Sequence, residues 1–531
     1  MNSNNNKGFG WLITIAMAMG VVIGLMSAPH LLRTKQASSP LGDKVERVMD
    51  LVEHAYVDTL DADTLGERLI GAMLNELDPH CHYFSAPDLR REEEQIRGNF
   101  EGIGVILKYI DDSVFVYQVL PDGPSAGSAL KPGDKLLRVD STVLSGAGLS
   151  NEEVVGHIRG PRGTVASLMV QSYGQDKPHT VNVARGVVTT PSVIYSGMID
   201  DSTAYVRVAR FAEATHYEFH NALANLRLRG MKRLVIDLRG NAGGVLEAAV
   251  GMARELLPHG RMIVYTEGAH SPRSDMRSQG GGLFTKGKLA VMIDEYSASA
   301  SEVLAGAVQD NDRGIIVGRR SFGKGLVQRQ FELKDGSAVW LTVARYYTPS
   351  GRCIQRPYNR GTDEYYTEFL NRMFEESKTD TALATINDST PYHTTGGRVV
   401  YGGGGIYPDH RLPYFTDNRL VYVNRLASRG VLENTAFGYV RANADALKAE
   451  YASADDFVAR FNTPATLYND LLKAGTKAGI ERDEASLAKY GPYLRTMLKA
   501  YIGEALYGQG TFTRIHLETD DEITRTLNLL K

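Results

Sequence analysis

The chain has 531 residues, with 59 lysines and arginines against 62 aspartates and glutamates and a formal net charge of −3. That length exceeds what one hydrophobic core organises, so several domains are expected. The near-neutral balance, without a long single-sign block, excludes nucleic acid as the main partner, and 43% hydrophobic with 23% charged residues excludes a largely disordered or wholly membrane-embedded chain.

After a short tail at 1–8, residues 9–28 read as a transmembrane anchor or signal segment. Phe9 to Ser27 carries no charge over 19 residues, enough helix to cross a bilayer core of roughly 30 Å. An uncleaved anchor fits better than a cleaved signal, whose apolar run is about 7–15 residues, and Ser27-Ala28-Pro29 is a poor cleavage site. A buried core helix is the third reading, disfavoured because such helices are seldom apolar all round at a chain terminus. Lys7 before the run and Arg33 and Lys35 after it do not choose an orientation.

Beyond a polar linker, residues 38–96 read as a helical segment. Val45, Val48, Met49, Val52, Ala55 and Tyr56 recur at helical spacing, and Leu65, Leu69, Ile70, Met73, Leu74 and Leu77 repeat the pattern, which predicts two packed helices. Residues 97–186 change to short β-rich runs broken by turns at Pro121-Asp122-Gly123-Pro124 and Lys131-Pro132-Gly133-Asp134. From 187 to 415, strand-like runs (234–238, 289–294, 314–318, 338–347) alternate with helical ones (219–228, 245–257), an α/β core. Residues 358–398 look like a polar, irregular insertion within it, and 416–531 is charged and helix-prone with no chemistry-bearing motif. The fold class is therefore α/β and multidomain. Cys81 and Cys353 are the two cysteines, and their spacing predicts neither a zinc site nor a disulfide scaffold, with a pairing between them left open.

The chemistry concentrates in three segments. Ser297-Ala298-Ser299-Ala300-Ser301-Glu302 follows a strand and opens a helix, where free N–H groups and the helix dipole favour negative charge, a suitable seat for a serine nucleophile. An isolated serine run there would read as ordinary N-capping. Ser321-Phe322-Gly323-Lys324-Gly325 pins a lysine between glycines, with Gln328 four positions on. A lysine buried beside a serine loses charge stabilisation, so its pKa falls and it can take the hydroxyl proton; Gln328 is placed to orient the amine. Asp237-Leu238-Arg239-Gly240-Asn241-Ala242-Gly243-Gly244 ends a strand in a glycine-rich turn whose N–H groups, with that of Ala300, suit an oxyanion, although such a turn also serves merely to connect strand and helix.

Three other patterns carry less. Gly318 to Lys324 matches the first seven positions of a phosphate-binding loop, but Gly325 stands where a hydroxyl should bind magnesium. His216 and His220 stand four apart, but the glutamate of a zinc-binding H-E-x-x-H is displaced, and a surface or core pair is the better reading. His80 in a Ser-His-Asp triad is conceivable, but Asp78-Pro79-His80 reads better as a structural turn.

Taken in order, DLRGNAGG, SASASE and FGKGLVQ, with LDPH at 77–80, FEGIGV at 100–105, YYTPSGR at 346–352 and GIYPD at 405–409, resemble the carboxyl-terminal processing peptidases, the tail-specific serine proteases of family S41. The resemblance covers roughly Leu77 to Asp409. It implies Ser299 as nucleophile, Lys324 as general base, Gln328 as its partner, and the Gly243 and Ala300 amides as the oxyanion hole. The turn departs from the pattern of many relatives, with Ala242 for a proline and Gly240 for a larger residue. The domain at 97–186 resembles a PDZ module, whose Gly102-Ile103-Gly104-Val105 would receive a peptide's terminal carboxylate while a strand edge pairs with its backbone. By this resemblance the chain is expected to be a serine endopeptidase with no metal or cofactor. Its partners would be protein or peptide substrates held by their C-terminal segments and the membrane through the anchor, with a homo-oligomer open. It would be single-pass in a bacterial inner membrane, with the catalytic part periplasmic or otherwise extracytoplasmic. The alternative is a PDZ-bearing scaffold that has lost activity; Ser299, Lys324 and Gln328 being all present argues against it.

Overall fold

The computed structural model of the chain describes residues 39–378, 390–414 and 417–531. They form two compact units, one ending at Ala72 and one running from Met73 to Lys531. The segment expected to be an anchor, 9–28, lies outside the described residues, and among those that are described no helix is long and apolar enough to cross a membrane.

Both predicted N-terminal helices form, α1 (Pro40–Ala55) and α2 (Ala62–Asn75). Ser39 caps α1 by accepting the Gly42 N–H at 3.0 Å, and Pro40 sits at the helix start, where its missing N–H costs nothing. The packing expected of α1 is not found: it buries no residue, and Val45 and Val48 are more than half exposed.

In the second unit, β1 (His82–Phe84) and α3 (Ala86–Arg97) lead into a small β-rich domain. Its elements are β2 (Asn99–Gly102), β3 (Val105–Ile110), β4 (Ser113–Val119), β5 (Lys135–Val139), β6 (Thr142–Val143), α4 (Asn151–Ile158), β7 (Val165–Gln171), β8 (His179–Ala184) and β9 (Gly186–Thr189). Strands β3-β4-β5-β7-β8 form an antiparallel sheet with β6 on β5, and β2 pairs with β9 where the chain enters and leaves. Strand β4 is buried on both sides: Val114 and Val116 point into this domain's core, while Phe115 and Tyr117 point out against Phe437 of the C-terminal helices. The period of two puts successive side chains on opposite faces.

The central domain runs through β10 (Val193–Met198), β11 (Thr203–Val208), α5 (Thr215–Leu228), β12 (Arg233–Asp237), α6 (Leu246–Leu256), β13 (Met262–Gly268), β14 (Ser271–Arg277), β15 (Lys288–Ile293), α7 (Ala300–Asp310) and β16 (Ile315–Gly318). It continues with β17 (Leu326–Glu332), β18 (Ala338–Tyr347), α8 (Thr362–Lys378), β19 (Pro391–His393), β20 (Val399–Tyr401) and β21 (His410–Arg411). The main sheet has the order β10-β11-β12-β15-β16-β21 and is parallel from β11 onward. Parallel sheets are covered on both faces, so their strands read as continuous apolar runs. Leu234 and Ile236 of β12 and Leu289, Val291 and Ile293 of β15 pack with α5, α6 and α7, whereas Val235, Ala290 and Met292 face the other way. A second sheet, β1-β18-β13-β14 with β17 on β18, supplies the other wall of the site.

The insertion read as irregular at 358–398 contains the 17-residue helix α8. Its apolar signal is narrow: Tyr365 and Phe369, four apart, are the buried aromatics, and charged residues fill much of the rest. The C-terminal region folds as α9 (Leu420–Ser428), α10 (Val431–Glu450), α11 (Ala454–Arg460), α12 (Ala465–Lys477), α13 (Glu484–Tyr507), α14 (Gln509–His516) and α15 (Asp521–Leu529). Ile523 of α15 and Leu530 close the second face of the main sheet over Val235, Met292 and Val317. No disulfide joins Cys81 and Cys353.

Candidate active site

The carboxyl ends of β12, β15 and β16 deliver three turns to one place. Parallel strands present their C-terminal ends together, and ligand sites in such folds gather there.

After β15 the chain turns through Asp294 to Ser299, and α7 begins at Ala300. Ser299 adopts φ +55° and ψ −115°, a backbone conformation that a residue with a Cβ rarely holds. Such conformations cost on the order of 1–3 kcal/mol and persist only where the surroundings enforce them. Here Glu302 Oε2 accepts the Ser299 N–H at 2.8 Å, and the Ser299 carbonyl accepts from the Tyr346 hydroxyl at 3.1 Å. The outer serines of the run are structural: Ser297 Oγ donates to the Leu238 carbonyl and Ser301 Oγ to the Asn241 carbonyl, each at 2.8 Å. The middle serine is the one that lines the cleft.

The glycine-rich turn after β12 lies against Ser299. A Cβ at Gly243, where φ is +102°, would meet Ser299 Cβ at 2.7 Å and Ala300 N at 3.0 Å, so only glycine lets the turn approach this closely. Asn241 is fully buried and spans the turn, its Nδ2 donating to the Val208 carbonyl at 2.9 Å and its Oδ1 accepting the Gly243 N–H at 2.9 Å. Of the two amides expected to form an oxyanion hole, that of Gly243 is therefore engaged by Asn241. That of Ala300 opens α7 with no acceptor among the described residues.

The third turn, between β16 and β17, carries Lys324. The carboxylate of Glu302, a buried residue in the first turn of α7, binds both ends of this loop: Oε1 accepts from Ser321 Oγ at 2.5 Å and Gly323 N–H at 2.8 Å, and Oε2 from the Lys324 N–H at 2.9 Å. The same Oε2 holds Ser299. Tyr346 adds a second tie, its hydroxyl also donating to the Lys324 carbonyl. Phe322 packs with Tyr365 and Phe369 of α8 around the Arg356 guanidinium. The Lys324 side chain is half-buried, and its desolvation in the cleft lowers its pKa from the ordinary 10.5, opposed by the charges of Asp78, Glu302 and Glu92. No hydrogen bond or ion pair reaches its amine among the described residues.

Gln328 lines the same cleft, but its Nε2 donates to Thr342 Oγ1 at 3.2 Å rather than facing the lysine. His80 stands in a turn held by Asp78, whose Oδ1 accepts the His80 and Cys81 N–H groups at 2.8 and 2.9 Å. Burial and the nearby Lys324 push the His80 pKa down to about 3, and its Nε2 lies 3.1 Å from the Tyr365 hydroxyl, a neutral structural ring. His216 and His220 share one carboxylate oxygen of Glu255, at 3.2 and 2.8 Å.

The structure thus brings Ser299, Lys324, Gln328, Gly243 and Ala300 to one cleft of about 640 Å³, with Phe211, Val303, Leu326 and Trp340 among its walls. Gly102-Ile103-Gly104-Val105 is elsewhere, at the junction of β2 and β3. Ile103 is buried in the β-rich core, and its carbonyl accepts the Ser125 N–H at 3.0 Å. Gly104 has φ +73°, and a Cβ there would meet Pro124 Cδ at 2.7 Å. Strand β3 pairs with β4 alone, leaving its other edge unpaired among the described strands. Sequence reasoning gives Glu302 and Tyr346 no role. Glu302 carries a signal, the Ser-x-x-Glu spacing of a capping box; Tyr346 carries none.

Comparison with known proteins agrees with this geometry. Residues 202–363 match peptidase family S41, 92–171 match the PDZ domain family, and 422–508 match a family of unknown function. The carboxy-terminal-processing protease of Bartonella bacilliformis is 34% identical over 320 residues, covering 59% of this chain and 71% of that one. The carboxy-terminal processing protease CtpA of Bacillus subtilis is 28% identical over 348 residues, covering 65% and 74%. Among solved structures, a photosystem II D1 C-terminal processing protease is 29% identical, covers 58% of this chain and 88% of its own, and has a TM-score of 0.33. The protein is a serine-type peptidase with a mixed α/β catalytic domain and a PDZ module. The chain belongs to the carboxyl-terminal processing proteases of peptidase family S41.

Proposed function

We propose that this peptidase cleaves with a Ser-Lys dyad, Ser299 as nucleophile and Lys324 as general base, on substrates captured by the PDZ module. The observation that carries the reading is the single oxygen of Glu302 that accepts both the Ser299 and the Lys324 N–H, at 2.8 and 2.9 Å. Two segments distant in sequence are held as one unit by it. The positive φ of Ser299 and the burial of Lys324 add support.

In this scheme the neutral Lys324 amine takes the Ser299 hydroxyl proton as Oγ attacks the scissile carbonyl. The oxyanion is stabilised by the Ala300 N–H and, when Asn241 releases it, the Gly243 N–H. The lysine ammonium then gives its proton to the departing amine, and water, deprotonated by the same lysine, releases the acyl-enzyme. Gln328 keeps its Nε2 on Thr342 and offers its carbonyl oxygen to the lysine. The unpaired edge of β3 and the N–H groups of Gly102 to Val105 receive an extended C-terminal segment and its carboxylate. The apolar run at 9–28 tethers the enzyme to the bacterial inner membrane, catalytic part outside the cytoplasm, a placement that protease accessibility of intact spheroplasts would test.

Hydrolysis of casein by the full chain tests the dyad. Ser299→Ala and Lys324→Ala are each expected to lower the rate by about 10⁴-fold or more with the fold retained. Undiminished hydrolysis by Ser299→Ala would move the nucleophile elsewhere.

A further inference from the structure

Arg239 begins the glycine-rich turn, Glu295 lies at the root of the serine turn, and Arg319 opens the lysine loop. All three meet in one ionic cluster that also holds Arg207 and Asp237 of the main sheet and, from the far C-terminus, Asp520 and Glu522. Arg239 Nη1 donates to Glu522 Oε2 at 2.7 Å, and Arg239 Nη2 to Asp520 Oδ2 at 2.8 Å and Asp237 Oδ2 at 2.7 Å. Arg319 Nε donates to Glu295 Oε2 at 2.8 Å, and its Nη1 to Glu522 Oε1. Glu522 therefore spends one oxygen on the root of the glycine-rich turn and the other on the root of the lysine loop. Next to it both oxygens of Asp294, from the serine turn, accept the Gly240 N–H at 2.9 and 3.0 Å.

Two further features separate this cluster from an ordinary ion pair. The helix α15 does not depend on it for docking, because Ile523 and Leu530 are buried against the sheet and Asp520 Oδ1 caps the helix by accepting the Glu522 and Ile523 N–H groups. And a cavity of about 350 Å³ lies behind the turns, its walls made by Arg239, Arg319 and Glu522 together with the apolar Ile194, Phe512 and Leu517. Glu302 ties the serine turn to the lysine loop at the site itself, and the charged links through Glu522 join the roots of the glycine-rich turn and the lysine loop across this pocket.

We propose that Asp520 and Glu522 are positioning residues for hydrolysis, the C-terminal helix fixing the distance between the glycine-rich turn and the lysine loop on either side of Ser299. The proposal rests on the dyad reading above. It gives the C-terminal region a part in the chemistry of a site about 200 residues earlier in sequence. Displacements of about 1 Å in a catalytic arrangement cost up to roughly 100-fold in rate.

The test uses the full chain with a fluorogenic peptide and with a fluorophosphonate probe that labels the reactive serine. Glu522→Gln is expected to lower kcat roughly 10- to 100-fold and to slow labelling in parallel, with KM within about twofold and little change in Tm. Glu522→Asp should recover most of the loss, and Glu484→Gln, at an exposed pair with Arg482, should have no effect. An unchanged kcat, or a loss that disappears when rates are expressed per folded molecule, would overturn the proposal. Should Glu522→Gln fail to fold, Asp520→Asn, which removes only one partner of Arg239, is judged by the same criteria. Ser299→Ala runs alongside: labelling or hydrolysis persisting in it would sink the dyad and leave the positioning result to be read on its own.

Discussion

Lys324, the proposed general base, is also a burden on the fold. Burial lowers its pKa below 10.5, so the native state holds this proton less tightly than the unfolded chain. Below the lowered pKa the charged amine costs stability, and that cost fades as pH rises from the lowered value towards 10.5. The expected pH profile of kcat/KM rises along one ionisation with its midpoint below 10.5 and then levels off. Lys324→Met should abolish hydrolysis yet raise Tm at neutral pH, the gain shrinking at high pH; calorimetry at two pH values checks it, and a gain independent of pH would refute the burial argument. At this scale the sequence singles out Ser299 and Lys324, each in a short run of small residues, and both line the cleft. The orientation of Gln328 was not. A β-bulge between Val327 and Gln328 shifts the register against β18, so both residues line the cleft and the amide turns to Thr342. No local pattern announces a bulge.

Single elements carry two domains' worth of packing. Strand β4 serves the PDZ core with Val114 and Val116 and the C-terminal helices with Phe115 and Tyr117. Lys108 pairs with Glu433 at 2.6 Å and the Tyr117 hydroxyl donates to Glu504 at 2.9 Å, so the same strand and its neighbour also make polar ties to α10 and α13. Phe437, almost fully buried between Phe115 and Tyr117, is the apolar centre of that junction. Phe437→Ala is expected to cost about 3–5 kcal/mol in denaturant unfolding, the usual range for emptying such a site. A cost below about 1 kcal/mol would mean that the junction collapses around the cavity and that the PDZ module is not held by it. The sequence of β4 marks it as one of several short β-rich runs and does not tell that a second domain covers its outer face.

For the whole molecule the C-terminal region is a structural partner of both domains, not an appendage. Its last helix closes the second face of the main sheet, where Val235, Met292 and Val317 are fully buried. A chain ending before α15 would open that face to water, each such side chain contributing roughly 1.5–3 kcal/mol. Truncation after Thr519 is therefore expected to yield a chain that aggregates or melts well below the full-length protein. A truncated chain with an unchanged melting curve would show that the catalytic domain is stable without the cover.

The serine, lysine and glycine-rich segments that meet in the cleft, the PDZ module before them and the alternation of strands and helices are readable in the sequence, because these depend on spacing, glycine placement and apolar period within a few dozen residues. The folded chain alone shows that Glu302 ties Ser299 to Lys324 and that Asp520 and Glu522 reach the roots of the turns around them. The links of Glu302 to Lys324 and of Glu522 to Arg239 join residues 22 and 283 positions apart. Whether such groups meet depends on how whole elements stack, which no local pattern encodes.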